Sequence, residues 1–63
     1  MKLTIEIQMD NAAFDEDPSA EACRILRLLV ERLDGHPNFS PGQCQPLYDI
    51  NGNRVGQAEM IAD

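Results

Sequence analysis

Cys23, His36 and Cys44 make up the soft-ligand and nucleophile inventory of the chain, with Ser19, Ser40 and Thr4 as the aliphatic hydroxyls. The three soft ligands stand thirteen and eight residues apart. A structural zinc site usually pairs its ligands about two to four residues apart and needs a fourth, which is missing here. The pattern therefore predicts two free thiols and a solvated imidazole. Cys44 with His36 is the nearest thing to a thiol nucleophile beside a base, but nothing positions a third group. A short chain also has little room for an enclosed pocket of roughly 300 Å³ or more. Asp49, Asn51 and Asn53 echo the first half of a calcium loop. However, Arg54 falls where that loop requires glycine and Met60 where it requires a bidentate glutamate, so a hairpin is the better reading. No glycine-rich phosphate loop is present. We assign no catalytic, metal or cofactor-binding residue and expect a protein that is not an enzyme and carries no cofactor.

The elements are more legible than the chemistry. Residues 2–9 alternate strictly, with Leu3, Ile5, Ile7 and Met9 on one side and Lys2, Thr4, Glu6 and Gln8 on the other. Period two of this kind is a half-buried strand. Residues 10–17 form an acidic loop with Asp10, Asp15, Glu16 and Asp17, and Phe14 within it is expected to fold back over the core edge. Asp17 then caps a helix that Pro18 opens, since proline at the first helical position forfeits no hydrogen bond. The helix is expected to end near residue 34, with Gly35 as a left-handed stop and Pro37 blocking continuation. At helical spacing Ala22, Leu26, Leu29 and Leu33 centre the buried stripe, flanked by Ile25, Val30 and Cys23, while Arg24, Arg27 and Glu31 face water. Leu28 falls on the polar side.

Residues 36–46 read as an irregular loop rich in proline. Asn51-Gly52 between extended residues signals a hairpin. A two-residue turn at Asn51-Gly52 pairs Tyr48 with Val55, and one at Gly52-Asn53 pairs Ile50 with Val55. A three-residue loop setting Asp49 against Val55 would mix polar with apolar and is disfavoured. The last strand is expected to run on through Gln57, Glu59 and Ile61, with Ala58 and Met60 on the opposite side. Strand, helix, hairpin makes one α+β domain over residues 1–63: a single helix packed on a three-stranded, mainly antiparallel sheet. Its apolar side is expected to hold Leu3, Ile5, Ile7, Tyr48, Ile50 and Val55. The last strand is the natural centre with the first antiparallel beside it, and a parallel crossover stays open.

Charge narrows the function classes. Five basic residues oppose eleven acidic ones, for a net charge of −6 over 63 residues, which disfavours direct binding to nucleic acid or to an anionic membrane. No apolar run approaches the roughly 20 residues of a membrane span. No apolar leader opens the chain, so the expected compartment is the cytoplasm. Two cysteines are too few for a disulfide framework. What remains is a surface for protein partners: Leu28 with Arg24, Arg32 and Ile25 on the helix, the outer sheet face (Thr4, Glu6, Gln8, Ala58, Met60), or a free strand edge.

Three pieces also carry a resemblance: Met9-Asp10-Asn11-Ala12-Ala13-Phe14, the Arg24-Ile25-Leu26-Arg27 stretch of the helix, and Asp49-Ile50-Asn51-Gly52-Asn53 followed by Val55-Gly56. Together they resemble a family of short bacteriophage and prophage proteins of unknown function, over residues 2 to about 59. The resemblance implies a viral or prophage origin and a bacterial cytoplasmic setting, and it implies no activity. The function expected is a non-enzymatic protein interaction module, with a homodimer among the candidate assemblies. The alternative is an acidic decoy of nucleic acid that occupies a basic site on a host protein.

Overall fold

A computed structural model describes residues 1–35 and 39–62. The element order is β1 (Lys2–Ile7), a 3-10 turn (Ala12–Phe14), α1 (Pro18–Gly35), β2 (Cys44–Tyr48) and β3 (Arg54–Ile61). The helix packs on a three-stranded antiparallel sheet in the order β1-β3-β2, the expected α+β architecture with the last strand central. β1 pairs antiparallel with β3, which removes the parallel crossover.

Each helix signal acts where expected at the N-terminus: the Asp17 carboxylate accepts from the Ala20 N–H at 3.0 Å and Pro18 opens α1. At the other end Gly35 keeps helical backbone. Among the described residues only Gly42 and Gly52 have positive φ. The expectations for His36 and Pro37 lie outside the described residues, as does Asn38.

The core consists of Phe14, Ile25, Leu29, Leu47, Val55 and Ala58, with Ile7, Ala13 and Leu33 partly buried against it. Phe14 does fold back over the core, carried there by the 3-10 turn whose Asn11 cap accepts from the Ala13 N–H. Three expectations about facing need correction. First, the buried stripe of α1 is Glu21, Ile25 and Leu29. Leu26 and Val30 are exposed, as is Cys23. At 100° per residue this is a rotation of roughly 70° toward Leu28.

Second, β2 begins at Cys44 instead of Leu47. Pro46 is compatible with it because β2 is an edge strand and the proline nitrogen points away from β3. Leu47, not Tyr48, is the buried residue there, while Tyr48 and Ile50 remain 43% and 67% exposed. Third, the hairpin loop has three residues, Ile50 to Gly52, with Gly52 N–H donating to Asp49 O and Asp49 N–H to Asn53 O. A turn of this kind closes on a left-handed residue, here Gly52 at φ +85°. Tyr48 therefore faces Arg54, and the register shifts before Leu47 meets Gly56, so Val55 is an extra residue in β3. That bulge inverts the alternation. Val55 and Ala58 both reach the core, and Ala58 does not belong to the outer face.

Candidate interaction surface

The polar group that organises the molecule is Asp49, which is buried together with Glu21. Asp49 accepts from the Asn51 and Asn53 N–H groups at 2.9 and 2.8 Å and from the side chains of Asn11 (2.7 Å) and Asn53 (3.3 Å). Burial alone pushes its carboxyl up, but these bonds, led by the one from the Asn53 N–H, outweigh it and hold the group below its ordinary value. Glu21 forks onto Arg24, with Nε at 2.7 Å and Nη2 at 3.0 Å, and accepts from the Ile50 N–H at 2.8 Å. The Arg24 bond is the main reason its carboxyl is held low. Two of the motif pieces, Asn11 and the 49–53 turn, thus meet in one clasp that also holds the start of α1. No buried side-chain polar atom among the described residues lacks a partner.

The helix residues singled out from sequence lie along α1 beside β2, and the chain uses most of them itself. Ile25 is 2% exposed and belongs to the core, so it lines no outer seam. Arg24 donates to Tyr48 O at 3.3 Å and Arg32 to Pro46 O at 2.7 Å. Leu28, 41% exposed, borders a slit with Ile25, Arg32, Leu47 and Tyr48. The slit holds about 10 Å³, room for no more than one water. The two arginines therefore tie α1 to the outer edge of β2.

The opposite flank of α1 was missed. Arg24, Leu28 and Arg32 mark the side facing β2, and Leu26 and Val30, about 160° further round, are 37% and 65% exposed. On β1, Leu3 and Ile5 share the side of Ile7 and lie opposite Met60 and Ala58 of β3, yet they stay 46% and 44% exposed. The result is an apolar shelf of Leu3 and Ile5 on the side of the sheet that carries the core. Its sequence signal is a surplus: one helix packed beside β2 cannot also cover β1.

Elsewhere, an open depression of about 420 Å³ lies beside Pro41, Gly42 and residues 59–62, with Glu59 as the one ionisable side chain among the described residues that line it. Cys23 and Cys44 are exposed and free. Among the described residues no group of three or more His, Cys, Asp or Glu side chains could hold a metal ion. No described helix is long and apolar enough to cross a membrane. Neither a protein-family model, nor a curated protein, nor a solved structure matches the chain.

Proposed function

We propose that the chain is a non-enzymatic protein interaction module, of phage or prophage origin and working in the bacterial cytoplasm, whose contact surface is the β1 side of the molecule. The observation that carries this reading is the shelf: Leu3 and Ile5 lie on the core side of the sheet yet stay 46% and 44% exposed in a domain too small to waste them. The molecule's area agrees. A monomer of 7.0 kDa is expected to expose roughly 4,000 Å², and this chain exposes 4396 Å². The partner is a protein surface, apolar where it meets Leu3 and Ile5.

The test replaces Leu3 and Ile5 by threonine. Both side chains are nearly half exposed and threonine keeps the strand preference, so the variant should stay folded yet lose the association that the parent shows. Unchanged association would end the reading. The decoy alternative rests on Asp10, Asp15, Glu16 and Asp17, which are exposed. Asp17 is occupied as the helix cap. Neutralising Asp15 and Glu16 together separates the two readings: a decoy loses its partner and an apolar module keeps it.

A further inference from the structure

The two edges of the sheet are treated differently. In β2 the groups turned away from β3 are those of Cys44, Pro46 and Tyr48, because Gln43, just before the strand, turns its carbonyl to β3 and accepts from the Met60 N–H. Of these, Pro46 has no N–H, and the Pro46 and Tyr48 carbonyls are taken by Arg32 and Arg24. The bulge beside Leu47 adds a twist. Proline, charge and bulge are the usual means of closing a sheet edge.

β1 has no proline and no bulge, and its two charges, Lys2 and Glu6, are of opposite sign. Its six residues pair with β3 without a register shift. Gln8 N–H donates to Val55 O, and Met60, opposite Leu3, spends its own N–H and C=O on Gln43 and Gly42. Both facts give the same alternation: Lys2, Thr4, Glu6 and Gln8 bond to β3, and Leu3, Ile5 and Ile7 turn their backbone groups to the open edge.

Resting on the interaction-module reading, we infer that the partner is a second copy of this chain, added antiparallel along β1 about a two-fold axis through Thr4. In this register Leu3 faces Ile5 of the copy and the two exchange backbone bonds, both being residues whose groups point outward. Lys2 faces Glu6 of the copy, twice over, on the outer side of the sheet. Sliding the copy by two residues preserves backbone bonding but sets Glu6 against Thr4 and Lys2 against Gln8, losing both ion pairs. Charge complementarity therefore selects the Thr4-centred register. The assembly is a six-stranded sheet with both helices on one face, since the axis is normal to the sheet, and Leu3 and Ile5 of the two copies join into one apolar strip.

Sedimentation equilibrium of the whole chain at physiological salt tests this. The parent should dimerise. Lys2→Glu alone sets Glu against Glu, and Glu6→Lys alone sets Lys against Lys, so each should weaken the dimer by about tenfold. An equimolar mixture of the two should regain it as a heterodimer, as should the double variant Lys2→Glu/Glu6→Lys by itself. Circular dichroism melts confirm that each variant is folded. A parent that stays monomeric to millimolar concentration overturns self-pairing. A dimer indifferent to the single charge reversals, or a mixture that fails to recover, overturns this register. Self-pairing can fail while the Leu3/Ile5 variant still abolishes binding to another protein, so its failure is distinct from failure of the module reading.

Discussion

Gly56 shows how closely β1 approaches β3. A Cβ added there would fall on the carbonyl oxygen of Glu6, with Ile7 Cα only 3.1 Å away. Both obstacles are backbone and cannot rotate aside. Gly56→Ala should therefore destabilise the domain by about 3 kcal/mol or more, read as a fall in melting temperature, whereas a change of under 1 kcal/mol would mean that β1 sits further off. Asp49 and Glu21 are the other decisive single residues. Both carboxyls are held below their ordinary values of 3.8 and 4.5 in the folded state. A depressed folded value adds stability that is complete above the ordinary value and is lost as pH falls through the folded one. The stability gap between the parent and Asp49→Asn should therefore be widest above about pH 5 and close as the pH drops below the ordinary carboxylate range. A gap that stays constant down to pH 2 would remove the clasp from the account.

Among the elements, β1, the acidic entry and the helix were legible because each announces itself locally: alternation in Lys2 to Met9, and Asp17-Pro18 before an apolar period. Facing was less legible. Hydrophobic periodicity weighs a glutamate as solvent-seeking, yet Glu21 is buried because Arg24 and the Ile50 N–H satisfy it, and that turns the helix away from the stripe centred on Leu26. Likewise alternation cannot register an extra residue, so the bulge at Val55 hid Ala58 on the wrong side. The partner residues suffered for the same reason: Arg24, Arg32 and Ile25 were legible as a cluster, but their use against β2 was not. Adjacent helix positions give a direct check. Leu29→Ala should cost about 2–5 kcal/mol, and Val30→Ala, at 65% exposure, within about 0.5 kcal/mol. Equal costs would put Val30 in the core and contradict the observed stripe.

For the whole molecule, shape and surface point the same way. The radius of gyration is 12.2 Å, against roughly 10.6 Å for a compact chain of this length, and the extents of 37 × 22 × 17 Å describe an elongated body. One helix serves one edge of the sheet and leaves the other open, so burial is complete beneath α1 and incomplete over β1. Amide hydrogen exchange across a concentration series measures the consequence most directly. The Leu3 and Ile5 amides, which face the open edge, should gain protection as concentration rises, while the Tyr48 amide on the β2 edge should not change. Rapid exchange of Leu3 and Ile5 at every concentration, or protection growing at Tyr48 instead, would contradict association through β1.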